Sequence, residues 1–353
     1  MTGHFAKQLK KLRKDYEKDP IRNASYFDQM AALHFEEYQL DISQKRSSTD
    51  SLKSTFLYTD LEFILTKLRF ACILSSNKAA FKSEIELEFL PEILAFIRKE
   101  QLYDHPAIDI YYNCYRLLEN GEEKYFDRYV VLLEKHIQVL NSKETREVFL
   151  LGLNYCIRQI NLGNTKMSNA LFELFEFGLK GNHLLVDGNL SRFTYRNIVT
   201  IGLINKKYDW VENFIYEYKP KLEVQYRENM FTLNLALLKY EQKDYEEVQD
   251  LLYKYDQKDL LLSLFAKTIL LKVYYEQSSL KLLDSHLDAM EIFIRRKKVI
   301  GYHRKHYMNT IKYTRKLLKL NPYDKQAKEK LVKEVEETDT IAEKKWLLRA
   351  IGR

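Results

Sequence analysis

Apolar residues recur at i, i+3, i+4 and i+7 along almost the whole chain, and no stretch alternates apolar and polar residues as a strand does. The pattern predicts a succession of amphipathic helices. The first two cover roughly 5–18 and 21–42, split by Asp19-Pro20. The polar run Ser43–Ser51 reads as a linker. Helices are then predicted at about 52–76, 83–101, 106–120, 123–140, 143–162, 166–180, 191–206, 209–218, 221–242, 245–255, 259–277, 280–298, 302–320, 324–337 and 340–351. Ser83 with Glu86 and Thr340 with Glu343 have capping-box spacing. Pro106 suits a first helical position, and Gly121, Gly163 and Gly301 fall where the chain must turn. Pro91 sits inside an apolar helical pattern, so a kink or break is expected there.

The helices repeat in pairs. Cys114-Tyr-Arg116-Leu-Leu-Glu-Asn-Gly121 and Cys156-Ile-Arg158-Gln-Ile-Asn-Leu-Gly163 share one pattern, C-x-R-x-x-x-x-G, displaced by 42 residues. Cys72 lies another 42 residues upstream, and Gly202 and Ala236 take the equivalent place later, at spacings of 46 and 34. Two helices and two turns need a period of this size. A small side chain in the first helix of each pair lets its neighbours approach closely. The three cysteines therefore read as small buried hydrophobes rather than reactive thiols.

Composition agrees with this picture. Ten Gly and five Pro in 353 residues are too few for the turns of a β-sandwich or a nucleotide-binding α/β fold. Neither G-x-G-x-x-G nor G-x-x-x-x-G-K-[ST] occurs. The basic N-terminus is followed by no apolar run of leader length, and the most apolar stretch, Phe56–Leu74, carries Asp60, Glu62, Lys67 and Arg69. No membrane span is expected. Three scattered cysteines do not make a disulfide framework, and a reducing, cytoplasmic setting is expected.

Later residues resemble a known repeat. In Leu235-Ala-Leu-Leu-Lys-Tyr-Glu-Gln-Lys-Asp-Tyr-Glu-Glu-Val248 a helix ends, an acidic-aromatic pair follows, and a second helix begins, as in the tetratricopeptide turn. Tyr245 and Val248 match its aromatic and small positions, and the turn is one residue longer than usual. Leu320-Asn-Pro322-Tyr-Asp-Lys-Gln-Ala327 is similar to the segment that joins repeats. Residues 206–218 resemble a recurring segment of an uncharacterised bacterial family of tetratricopeptide-like proteins, a likeness extending over about 100–320. The resemblance implies a scaffold or recognition surface and transfers no catalytic residue. The expected fold is all-α: an α-α superhelix, a tetratricopeptide-like solenoid of about seven helix pairs over 51–353, preceded by an N-terminal helical segment, 1–50.

Charge is distributed unevenly. Residues 295–353 hold 18 Lys and Arg against 7 Asp and Glu, a balance of +11 within a net charge of +7. Within that region Arg295, Arg296, Lys297, Lys298, Arg304, Lys305, Lys312, Arg315, Lys316 and Lys319 occur with no acidic residue between Glu291 and Asp324. Interleaved with Tyr302, Tyr307 and Tyr313, such a face could hold nucleic acid or an acidic protein partner. Alternatively, carboxylates on neighbouring helices neutralise it, the reading we favour. His303 and His306 stand one turn apart without further zinc ligands in sequence, so no metal and no cofactor is expected. The pairs Arg98/His105 and Arg296/His303 have the spacing of some helical ribonucleases, but each crosses a predicted turn. G-x-S-x-G and H-E-x-x-H are absent. A non-enzymatic interaction module with a protein or peptide partner is the first expectation, and nucleic-acid or acidic-partner binding by the basic face is the second. Of the 26 tyrosines, those at 111, 112, 115, 155, 195, 226, 240, 274 and 275 flank inner helix positions and are mostly expected in the core.

Overall fold

The computed structural model describes residues 2–81, 85, 87–253, 255, 259–296, 301, 303–321 and 323–352. They form an all-α protein with seventeen α-helices and one two-stranded ribbon, divided into two compact units, Met1–Leu185 and Val186–Arg353. The first holds α1 (Thr2–Lys18), α2 (Ala24–Ser43), α3 (Asp50–Phe81), α4 (Leu90–Glu100), α5 (Pro106–Asn120), α6 (Glu123–His136), α7 (Ser142–Asn161) and α8 (Met167–Lys180). After the ribbon, β1 (Leu185–Val186) and β2 (Asn189–Leu190), come α9 (Arg192–Ile204), α10 (Tyr208–Tyr218), α11 (Val224–Glu241) and α12 (Tyr245–Tyr253). The rest are α13 (Leu260–Glu276), α14 (Leu280–Arg296), α15 (His303–Leu318), α16 (Lys325–Glu336) and α17 (Lys344–Gly352).

In unit 1, α2 packs on α3, α3 on α5, α5 on α6 and α7 on α8, while α5 also touches α7. Contact of each helix with its successor and with the next but one is the signature of stacked helix pairs. The repeat read from the sequence lies along this stack. Cys72, Cys114 and Cys156 are all fully buried, and the Cys72 thiol donates to the Tyr111 carbonyl (3.4 Å). Gly121 and Gly163 close α5 and the last turn after α7 at φ of 67° and 99°, values costly for any residue with a Cβ. Gly152 serves differently: a Cβ there would lie 2.6 Å from the Tyr129 hydroxyl, which donates to the Val148 carbonyl (2.7 Å). The missing side chain leaves room for the Tyr129 ring of α6 against α7.

Charged ties cross unit 1 over long sequence separations. Arg69 of α3 grips Glu147 of α7 with two bonds, 2.7 and 2.8 Å, and reaches Glu144 at 3.9 Å. Glu144 also accepts from Asn23 Nδ2 (2.8 Å) and closes a capping box with Asn141. Asn23 in turn caps α2, so the start of α2 is fastened to the start of α7. Asp109 is almost fully buried and holds Arg128 at 2.6 Å and Asn113 at 2.7 Å. Burial without such partners would be prohibitive for a carboxylate.

Unit 2 repeats the architecture. Contacts run α9 to α10 and α11, α11 to α12 and α13, α13 to α14, and α15 to α16 and α17. Ala236, at the small-residue position, is fully buried. Its last core joins Leu264, Leu271, Leu287, Met290, Ile311 and Leu347. Each such side chain is worth about 1.5–3 kcal/mol when fully buried.

At Pro91, where a kink or break is expected, the chain breaks: α4 begins at Leu90 with Pro91 in its first turn, where no N–H is needed. Two local expectations need correction. Thr340 and Glu343 do not form a capping box. Asn309 donates to the Thr340 carbonyl and hydroxyl (2.9 and 3.0 Å), Lys272 pairs with Glu343 (3.1 Å), and α17 starts one residue later. The ribbon was not foreseen, although Asp187-Gly188 at its turn, both at positive φ, is a strong hairpin signal. The Ser83/Glu86 pair lies outside the described residues.

Candidate binding surfaces

The basic segment begins at the end of α14 and runs along α15. Arg295 folds back on Glu291 of its own helix (2.6 Å). Arg315 spans to α14, reaching Asp288 and Glu291 at 2.5 Å each. Lys316 pairs with Glu334 of α16. The Arg295 and Arg315 guanidiniums hold the Glu291 carboxyl below its ordinary range, and Lys316 does the same to Glu334. Neighbouring helices thus supply counter-charges for Arg315 and Lys316. Arg296, Arg304, Lys305, Lys312 and Lys319 are exposed, and Lys297 and Lys298 lie outside the described residues.

Tyr313 does not line this face. Tyr313 is buried, its hydroxyl shared with Thr338 (2.8 Å) and the Glu334 carbonyl (3.4 Å), while Lys312 and Lys316 lie over its ring at 5.1 and 5.6 Å. Tyr307 is half-buried, and Tyr302 lies outside the described residues. Base stacking therefore has no platform at Tyr313. Of the tyrosines assigned to the core, Tyr111, Tyr112, Tyr155, Tyr195 and Tyr240 are buried, whereas Tyr115, Tyr226, Tyr274 and Tyr275 are half-buried.

His303 and His306 stand with ring centroids 6.5 Å apart. Among the described residues no three His, Cys, Asp or Glu side chains gather as a metal site. His105 precedes α5 with its ring edge-on to Phe27 at 6.0 Å, and Arg98 lies in the last turn of α4, so a turn separates them. Burial pushes the Cys72 thiol well above the ordinary range and the Cys156 thiol up to about 12, which keeps both protonated and unreactive.

A surface that sequence reasoning missed lies in unit 1. Phe56, Phe63 and Phe70 of α3 are spaced by seven residues, so they share one face, and they are 61, 42 and 49% exposed. Phe63 opens into a groove between α3 and α4 of about 490 Å³, lined also by Phe89 and Phe96 over a floor of Ile64 and Ile93. Asp60 and Glu92 stand on its rim. Phe89 holds a left-handed conformation, φ 63°, with its ring 60% exposed. A bulky residue kept in this strained region is the kind of local cost that clusters at binding surfaces. A second groove, about 290 Å³ between α6 and α8, sets Phe126, Val131 and Phe177 among Asp127, Glu134 and Glu173. The seven-residue phenylalanine spacing was the available signal.

No described helix is long and apolar enough to cross a membrane. Comparison with protein families, curated proteins and solved structures returns no match.

Proposed function

We propose that this protein is a non-enzymatic interaction module whose first unit grips an amphipathic, cation-bearing helix of a protein partner. The observation that carries this reading is the phenylalanine face of α3 with its groove. Exposed aromatics at helical spacing, rimmed by carboxylates, match a helix with an apolar stripe and flanking Lys or Arg. The resemblance of residues 235–248 and 320–327 to tetratricopeptide segments supports the same reading. The three unpaired buried thiols suit a reducing, cytoplasmic setting.

The test is anisotropy titration of two labelled synthetic helices, one Leu/Lys and one Leu/Glu. The basic helix is expected to bind, and Phe63→Ser with Phe96→Ser to weaken it at least about tenfold with unchanged circular dichroism. Equal affinity for both helices, or indifference to the double substitution, overturns the proposal.

A second reading rests on Lys305, Lys312 and Lys319, again seven residues apart, exposed, and in no ion pair among the described residues. That stripe suits a polyanion, nucleic acid or acidic protein. Affinity purification with mass spectrometry, with and without nuclease, separates it from the first: a partner lost on nuclease treatment favours the stripe.

A further inference from the structure

Helix α1 packs on α2 and turns a bare lysine face to solvent. It carries six cations against two acids, with no acid in its first turn. At 3.6 residues per turn, Lys7, Lys10, Lys11, Lys14 and Lys18 gather within about 100° of its circumference and run about 16 Å along it. All five are exposed, and none forms an ion pair or a side-chain hydrogen bond among the described residues. Asp15 and Glu17 border the stripe on either side without pairing to a lysine, and Glu17 is drawn to Arg13 (3.7 Å). On α2, Glu37 is taken by Arg13 (3.3 Å) and His34 (3.1 Å). Elsewhere in the chain cations find carboxylates, as Arg69 finds Glu147 and Lys239 finds Glu212. Five unpaired like charges on one face repel one another, a cost that a polyanion relieves.

The fold holds this face in place. Leu9 is buried, and Arg13 ties α1 to α2. Arg22 donates from its guanidinium to the Glu17 carbonyl (2.9 Å) and the Asp19 carbonyl, closing the end of the helix. The Arg22 backbone N–H donates to the Val139 carbonyl (2.8 Å), which anchors the joint between α1 and α2 to the segment after α6. The stripe is therefore preorganised, and binding has only side chains to order. Its chemistry selects among polyanions. The face bears no aromatic ring for a base to stack on. Phe5, Leu9 and Leu12 lie on the opposite side of the helix, so a bilayer meeting the lysines gains no apolar insertion. A row of ammoniums alone matches a phosphate backbone, which in a duplex carries one negative charge per about 1.7 Å of axis. We infer that α1 binds duplex nucleic acid through its phosphates, without regard to sequence. The stripe shares no residue with the phenylalanine groove or with the α15 lysines, and rests on neither reading.

Anisotropy titration of two labelled DNA duplexes of unrelated sequence, each about 20 base pairs, tests this between about 50 and 200 mM salt. Both duplexes are expected to bind alike and more weakly as salt rises. Combining Lys7→Gln, Lys11→Gln and Lys14→Gln is expected to lower affinity at least about tenfold at the lower salt. The slope of log affinity against log salt should shrink by about 2.7, at about 0.9 per lost phosphate contact. Glutamine matches lysine in helix propensity, so circular dichroism should not change. In a background of Lys305→Gln, Lys312→Gln and Lys319→Gln the α1 substitutions should act as before, which separates the two stripes. No binding up to about 100 µM at the lower salt overturns the inference, as does a preference of more than about tenfold for one duplex. An unchanged affinity and slope in the α1 variant does the same. Binding only to vesicles of phosphatidylcholine with phosphatidylserine, and not to the duplexes, assigns the stripe to a bilayer and overturns it too.

Discussion

The two units solve the same stacking problem with different electrostatics. Unit 1 carries 25 Lys and Arg against 26 Asp and Glu, and unit 2 carries 32 against 24. In unit 1 key charges are spent inside the fold: Asp109 is buried under Arg128, and Arg69 clamps Glu147 while Glu144 secures Asn23. In unit 2 Arg315 and Lys316 instead meet carboxylates, Asp288 and Glu334, across exposed helix faces. Buried pairs fix geometry and are costly to break, whereas exposed pairs chiefly keep like charges from repelling.

Arg128→Met tests that contrast most severely. It leaves Asp109, 3% exposed at its side chain, with Asn113 as its remaining side-chain partner. Unpaired buried charges of this kind cost about 3 kcal/mol or more. The urea midpoint followed by circular dichroism is expected to fall accordingly. Asp109→Asn, which removes the charge and leaves the half-exposed Arg128 hydrated, is expected to cost less. If the two substitutions cost the same, the carboxylate is not held by the guanidinium.

Helix order was legible because most helices bury one face and keep the 3.6-residue period, although α11 and α13, buried over consecutive positions, carry little of it. Long-range ties were not. Asp109 sits on α5 between apolar neighbours and looks like any surface acid, since its partner lies on the following helix. Arg69 finds Glu147 across 78 positions, and no local pattern records that. The Asn141/Glu144 capping box was visible in spacing, but Asn stands where Ser or Thr is the commoner signal. The counter-charges on α14 and α16 could be anticipated only in kind, because their pairing depends on how the helices of unit 2 are stacked. Pro91 shows the opposite limit: the break was legible, but its placement at a helix start depends on the turn before it.

Unit 2 also contains a half-buried imidazole that makes its stability depend on pH. His286 donates from Nε2 to the Lys267 carbonyl (2.7 Å) and lies edge-on to Tyr274 at 5.4 Å. Burial lowers its pKa, and the nearby Lys267 ammonium adds to that shift. A folded pKa below the unfolded one means that the unfolded chain takes up the proton first. Stability is therefore full above the ordinary histidine range, near pH 6.5, and declines as pH falls below it. His286→Gln keeps a donor without titrating, so the loss between about pH 7 and pH 5 should shrink. Both tryptophans, Trp210 and Trp346, belong to unit 2, so their emission during urea unfolding follows this unit specifically. An unchanged pH profile in the variant would remove His286 from the explanation.

Arg315→Met is expected to have the smallest effect, and its salt dependence makes it informative. Arg315 is the hub of the exposed network, touching Asp288 and Glu291 while Arg295 holds the other oxygen of Glu291. Because its side chain is about one-third exposed, losing the pair should cost no more than about 1 kcal/mol at low salt. At about 1 M salt, where screening acts over roughly 3 Å, most of that difference should vanish. The midpoint of the tryptophan-detected urea transition, measured at both salt concentrations, gives the comparison. A loss as large as that of Arg128→Met, or one that persists undiminished at high salt, would mean that α15 is held to α14 by a desolvated pair. Arg315 would then be a structural element of the stack, leaving the polyanion reading on Lys305, Lys312 and Lys319 unchanged.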